Sequence, residues 1–157
     1  MSEPSAVHST FVIERRFAAA PGHVFSALSD PDQVRRWYAE AGGRAAETFE
    51  MEFRIRGRQR MSSPLGHDTP FPGAILASDA EFLDIVPGRR MVLAQTMTLA
   101  EQRISAALIT YEVAAVDGGS ELNFTHQGAF FEGSDGPEMR EHGWRTLLDS
   151  LQHALAA

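Results

Sequence analysis

The sequence contains no cysteine and no lysine. Without cysteine there can be no disulfide, no thiolate nucleophile, no zinc–cysteine site and no iron–sulfur cluster. Without lysine there can be no Schiff base, no pyridoxal phosphate anchor and no P-loop. All 14 basic residues are arginines, which stay charged near neutral pH, so no side-chain amine can serve as a base.

Positive charge and long apolar runs are also scarce. The chain carries 21 acidic against 14 basic residues, a net charge of −7, which disfavours binding to nucleic acid or to anionic membrane. No apolar run approaches the ~18 residues of a membrane span, and the N-terminus has no basic-then-apolar signal. We therefore expect a cytoplasmic protein with no nucleic-acid partner and no membrane insertion.

Alternation of apolar and polar residues predicts several strands. The first covers residues 11–17, and a half-buried strand with Phe53 on its apolar face covers residues 48–56. Further strands are expected at residues 74–86, 90–97, 103–116 and 121–127. Proline and glycine mark residues 62–73 and 128–136 as loops.

Helical signals lie on either side of these strands. Pro21 and the Asp30-Pro31 pair begin two short helices, and residues 137–156 carry the apolar stripe of a long last helix. This order predicts an α+β fold, with a curved antiparallel sheet wrapped around the C-terminal helix. Residues 1–10 are expected to be a flexible N-terminus, and residues 11–157 a single domain.

No hydrolase, dinucleotide, P-loop or zinc-protease motif is present. Two acid–histidine pairs, Glu138/His142 and Asp149/His153, stand four residues apart on the last helix, where a solvated face with weak pairs explains them better than a metal site. We therefore expect no metal and no cofactor.

Two polar side chains are predicted to point inward. His126 would lie beside Leu122 and Phe124, where it could hydrogen-bond a ligand, act as an acid–base group, or be satisfied by its neighbours. Arg15 must be paired if it is buried. Its partner should be a glutamate on a neighbouring strand or, alternatively, the anionic head of a ligand.

An alternating run of arginines, Arg54, Arg56, Arg58 and Arg60, is expected on one strand face. Such a run could bind phosphate or carboxylate, but the wet face of a sheet or a homodimer contact is the more ordinary explanation. Core packing is the default explanation of the inward aromatic residues, which could equally form the wall of a mostly apolar cavity between sheet and last helix. The predicted cavity residues are Trp37, Tyr38, Phe53, Phe124, His126, Trp144 and Leu148.

Three segments carry a family resemblance: FVIERRFAAAPGHVFSALSDPDQVRRWY at the start, VPGRRMVLAQ in the middle, and LNFTHQG with HGWRTLLDSLQHAL at the end. Over residues 11–156 the chain resembles bacterial proteins similar to the C-terminal domain of the activator of heat-shock protein 90 ATPase. These belong to the START-like helix-grip superfamily, also called SRPBCC. The resemblance implies a hydrophobic cavity between the curved sheet and the last helix, and superfamily members bind lipids, polyketides or hormones.

The resemblance leaves three functions open. The first, which we favour, is binding of a small hydrophobic or amphipathic molecule. The second is an enzyme of the cyclase, dehydratase or hydrolase type, using His126 with an inward-facing Asp84 or Glu112. The third is a homodimeric or chaperone-linked interaction module. Co-chaperones of this kind carry an additional N-terminal domain, for which 157 residues leave no room, so the family name need not describe the activity.

Overall fold

An antiparallel sheet and three helices form the computed structural model, which describes residues 5–41 and 46–156. The strands are β1 Val7–Phe17, β2 Thr48–Met51, β3 Arg58–Pro64, β4 Ile75–Val86, β5 Arg90–Leu99, β6 Gln102–Val116 and β7 Gly119–Phe130. The helices are α1 Pro21–Ser29, α2 Pro31–Val34 and α3 Pro137–Ala156, and a π-helical turn, Arg35–Ala39, follows α2.

The strands form one curved sheet in the order β1-β7-β6-β5-β4-β3-β2. Every neighbouring pair is antiparallel. The apolar stripe of α3 enters the core through Trp144, Leu148 and Leu151, opposite inward residues of the sheet such as Ile13 and Phe124. The predicted α+β helix-grip fold is confirmed.

The first strand begins earlier than predicted. Residues 7–10 were expected to belong to a flexible N-terminus, but Val7–Thr10 pair with Gln127–Phe130. The reason lies in β7, which continues through Phe130 instead of ending at the predicted loop and so offers partners to these residues. Residues 5 and 6 precede the strand, and residues 1–4 lie outside the described residues.

The strand predicted over residues 48–56 is a hairpin instead. The chain turns between Met51 and Arg58, with Arg56 in a left-handed conformation (φ 69°). Gly57 makes this turn possible, because a Cβ there would lie 2.1 Å from the Glu52 carbonyl oxygen. Apolar and polar residues continue to alternate through the turn, so the sequence pattern alone does not reveal it.

The predicted arginine run is therefore divided. Arg58 and Arg60 lie on β3, whereas Arg54 and Arg56 lie in the turn. Each arginine contacts a carboxylate of the same chain: Arg54 pairs with Glu52, Arg56 with Glu81, and both Arg58 and Arg60 with Asp79. Acidic neighbours within the sheet thus compensate this charge.

The two short helices begin where predicted, at Pro21 and Pro31. An Asp30 carboxylate oxygen caps α2 by accepting a hydrogen bond from the backbone N–H of Asp32 (3.2 Å). The Trp37 indole N–H donates to the Ala27 carbonyl oxygen (2.8 Å), which fastens the π-helical turn to α1. None of the helices in the described ranges is both long and apolar enough to cross a bilayer.

The β6–β7 turn gives a test of the fold. Gly119 has φ +155°, and a Cβ there would lie 1.9 Å from the Phe17 carbonyl oxygen. Because the obstacle is backbone, Gly119→Ala should destabilise the protein by at least about 2 kcal/mol. Gly143→Ala, in a helical position with open space, should instead stabilise it by about 0.5–1 kcal/mol. Urea unfolding of both variants measures this, and equal effects would contradict the register.

Candidate functional site

The aromatic residues predicted to line a cavity are packed against one another. The Trp144 ring lies 4.4 Å from the Phe124 ring and 5.8 Å from the Tyr38 ring, centroid to centroid. Trp37 contacts Tyr38 edge-on (5.6 Å), and Leu148 is fully buried. These side chains fill the space between the sheet and the middle of α3.

Phe53 lies apart from this group. It follows β2 in the hairpin turn and packs edge-on against Phe25 of α1 and Phe82 of β4, at 6.1 and 5.2 Å. The structure thus brings together six of the seven predicted cavity residues around α3 and β7, and places Phe53 beneath α1.

Two recesses lie on the outer face of the sheet, away from these residues. One, of about 430 Å³, borders Ala94, Leu108 and Gln127. The other, of about 490 Å³, borders Arg60 and Asp79. Neither includes a predicted cavity residue, and most of the lining side chains face outward. Ala107 and Gly128 also border the first recess, and Met61 and Ser78 the second. The inner face carries polar groups of its own.

One set of inner polar groups joins the π-helical turn to the sheet. The Gln95 Nε2 group of β5 donates to the Tyr38 hydroxyl (3.3 Å), which is also paired with the Ser78 hydroxyl of β4 (3.4 Å). All three side chains are buried. Burial raises the pKa of Tyr38 despite these hydrogen bonds, so its hydroxyl stays neutral.

A second set forms a stacked column across β1, β7 and α3. The His126 ring stacks on Phe11 (4.7 Å) and on Phe130 (6.0 Å), and the Arg140 guanidinium lies over the Phe130 ring (5.1 Å). The absence of a side chain at Gly128 permits this stacking, because a Cβ there would lie 2.9 Å from both the His126 and Phe130 rings.

Arg140 is buried on the apolar stripe of α3, with 6% of the residue exposed. It forms a two-pronged ion pair with Asp135, with both N···O distances 2.8 Å. Burial would raise the pKa of Asp135, but the hydrogen bonds and charge of Arg140 outweigh burial and hold that pKa below its usual value. The pair therefore has no net charge.

His126 is fully buried in this column. Burial and, secondarily, the nearby Arg140 charge lower its pKa to about 4. The imidazole is therefore neutral at pH 7, with one nitrogen as donor and the other as acceptor.

Several buried polar atoms in these two sets, and in Ser105 of β6, which pairs in register with Phe130, have no hydrogen-bond partner among the described residues. They are Gln95 Oε1, Ser105 Oγ, both ring nitrogens of His126, and Arg140 Nη1. Another such atom, the side-chain oxygen of Asn123, belongs to an outward position of β7. Because buried polar atoms are nearly always paired, their concentration marks a candidate binding site. We name the inner polar cluster for its members, Tyr38, Ser78, Gln95, Ser105, His126 and Arg140.

His126 and Tyr38 are predicted from the sequence, whereas the other members of the cluster are not. Gln95 and Ser105 occupy inward positions of β5 and β6, and strand alternation could have revealed them. Arg140 precedes Trp144 by four residues, so it continues the apolar stripe of α3. A polar residue at an apolar position was the available signal.

An apolar rim, formed by Phe49, Met61 and Met97, borders the inner polar cluster. All three side chains are half-buried. Ser78 pairs in register with Met61 on one side and with Met97 on the other. Unbranched methionine side chains adapt readily to a neighbour's shape, so this rim can accommodate an apolar group beside the cluster.

Arg15 lies at the other end of α3 and has a different partner from the one predicted. Its Nη1 contacts the Asp149 carboxylate (2.6 Å), and its Nη2 donates to the Arg145 carbonyl oxygen (3.2 Å). The partner is an aspartate of α3 instead of a glutamate on a neighbouring strand, because α3 crosses β1 at this point.

The two carboxylates suggested as partners for His126 do not point inward. A β-bulge between Phe82 and Asp84 reverses the alternation of β4, and Asp84 contacts Arg90 at the surface (2.7 Å). Glu112 is exposed, because neighbouring residues of a strand point to opposite faces and Tyr111 before it points into the core. Within the described ranges, no three histidine, aspartate or glutamate side chains are placed to hold a metal.

Comparison with known proteins agrees with this fold. The family model described as Activator of Hsp90 ATPase homolog 1-like protein matches residues 18–156. A protein from Rhizobium leguminosarum is 37% identical over 97% of each chain (TM-score 0.90). Mll3558 from Rhizobium loti is 38% identical over 97% of this chain and 100% of its own (TM-score 0.86). No curated protein matches the sequence.

The fold defines a helix-grip protein of the START-like kind, a fold that commonly binds hydrophobic ligands. The chain belongs to the family of Activator of Hsp90 ATPase homolog 1-like proteins.

The buried neutral His126 predicts a specific pH dependence. An unfolded histidine binds a proton below about pH 6.5, whereas the folded protein resists protonation until about pH 4. The unfolded state therefore gains protons first, and stability falls as pH drops through this window, by up to about 3 kcal/mol. His126→Leu should remove this fall in stability at low pH, because leucine cannot be protonated.

Urea unfolding at several pH values between 7.5 and 4 measures the effect. His142→Leu, a substitution at an exposed histidine of α3, is the matched control and should keep the pH dependence of the unchanged protein. A His126→Leu variant whose stability falls with pH as steeply as that of the unchanged protein would contradict the assignment.

Proposed function

We propose that the protein binds a small amphipathic molecule whose apolar body lies along the apolar rim and whose polar group enters the inner polar cluster. The observation that carries the proposal is the set of buried polar atoms without protein partners in Gln95, Ser105, His126 and Arg140. Each such atom costs about 1–3 kcal/mol if it is never satisfied. A ligand that hydrogen-bonds to them would recover this cost.

Small inward residues on both sides of Gln95 support the proposal. Gln95 pairs in register with Ala80 on one side and with Ala107 on the other. Ala107 is half-buried, although it faces the core. A narrow strip of short side chains therefore runs across the inner face at the level of Gln95.

The acid–base alternative has less support. A general base works best with a pKa near the operating pH, whereas His126 has a pKa of about 4. Asp84 and Glu112, its suggested partners, face outward. We therefore assign His126 to ligand binding as a neutral hydrogen-bonding group. The interaction-module and homodimer alternatives, which the arginine run and the family resemblance suggested, stay predictions. The four arginines each contact a carboxylate of the same chain.

A thermal-shift panel of fatty alcohols, fatty acids, sterols, flavonoids and aromatic polyketides tests the proposal. A ligand at 100 times its Kd stabilises a protein by about 2.7 kcal/mol, which for this chain length is a Tm increase of roughly 5–11 °C. We expect one chemical class to give such a shift.

A matched pair of variants locates the ligand. Ala107→Leu narrows the inner face beside Gln95 and should abolish the shift, whereas Ala106→Leu enlarges the neighbouring outward residue and should preserve it. The Tm of each variant without ligand shows whether it is folded. A panel with no shift would contradict ligand binding, and a shift that survives Ala107→Leu would place the ligand elsewhere.

A further inference from the structure

We propose that the inner polar cluster selects a neutral ligand with a hydroxyl group at its polar end, an alcohol or a phenol, over a carboxylate or a ketone of the same size. This inference rests on the proposed function and specifies its ligand class. It follows from two properties of the cluster, its charge and its balance of donors and acceptors.

The charge of the cluster is already balanced without a ligand. Arg140 supplies its positive charge, and Asp135 cancels that charge through two hydrogen bonds of 2.8 Å. The remaining members are a neutral imidazole, a tyrosine, two serines and an amide. A carboxylate entering this buried site would add an uncompensated negative charge, and a buried unpaired charge is strongly unfavourable. The cluster is therefore suited to an uncharged group.

The unpartnered atoms include both donors and acceptors. Gln95 Oε1 is purely an acceptor, because the amide nitrogen of the same side chain is already directed at the Tyr38 hydroxyl. Arg140 Nη1 is purely a donor, and neutral His126 supplies one donor and one acceptor. Ser105 can serve in either role.

A hydroxyl group matches this balance. It donates one hydrogen bond, which Gln95 Oε1 or the unprotonated nitrogen of His126 can accept, and it accepts from Arg140 Nη1 or Ser105. A ketone only accepts, so it would leave the Gln95 oxygen buried without a partner. Sites built to hydrogen-bond a hydroxyl discriminate strongly against analogues that lack it.

Two matched sets of probes test this selection: decanol, decanoate and 2-decanone, and 2-naphthol, 2-naphthoate and 2-acetylnaphthalene. Isothermal titration calorimetry at pH 7.5 measures each Kd. We expect the hydroxyl form to bind at least about tenfold more tightly than the carboxylate and the ketone of the same skeleton, a difference of about 1.4 kcal/mol. A carboxylate or ketone that binds as tightly as the alcohol overturns the inference but leaves the proposed function standing.

The outcome in which no probe of either skeleton binds contradicts the proposed function itself, so the two failures are distinguishable. Gln95→Leu removes the acceptor that we hold responsible for rejecting ketones. This variant should lower the preference of the protein for alcohol over ketone about tenfold, and its apolar side chain should preserve the fold.

Gln127→Leu is the matched control, since Gln127 is an exposed glutamine of β7. It should keep the preference of the unchanged protein. If Gln95→Leu keeps that preference as well while remaining folded, the acceptor role assigned to Gln95 is wrong.

Discussion

The site depends on the ion pair between Arg140 and Asp135. Arg140 occupies an apolar position of α3, one turn before Trp144, and 6% of the residue is exposed. A guanidinium in such a position is tolerable only with a partner, and breaking a buried pair costs about 3–5 kcal/mol. Because Asp135 neutralises Arg140, the guanidinium can lie over Phe130 and extend the stacked column to α3.

The balance of packing and polarity differs along the inner face. Around Trp144 and Leu148 the side chains are apolar and tightly packed, which stabilises the fold. Around Gln95 and His126 the packing includes polar atoms that the protein itself does not satisfy. Natural proteins depart from full polar satisfaction mainly at functional sites. The contrast within one sheet therefore separates a structural half of the interior from a candidate binding half.

Strand alternation and the apolar stripe of α3 were enough to predict the architecture, because both report directly which face is buried. They failed where the backbone departs from regular geometry. The hairpin turn around Gly57 and the bulge before Asp84 both interrupt the regular strand geometry, although apolar and polar residues continue to alternate in the sequence there. The site was only half predictable for another reason: Gln95 and Arg140 are common surface residues, and only their inward positions reveal them.

The contacts at the two ends of α3 bear on the route by which the proposed ligand would enter. Near its start, Arg140 lies over Phe130 of β7. Toward its end, Asp149 pairs with Arg15 of β1, and the Gln152 side-chain amide donates to the Arg16 carbonyl oxygen (3.2 Å). Lifting α3 from the sheet would break contacts at both places together. Displacing the half-buried side chains of the apolar rim breaks no ion pair and costs only the contact of the Arg35 guanidinium with the Phe49 ring (5.1 Å). For the proposed ligand, we therefore infer that the rim is the less costly route to the inner polar cluster.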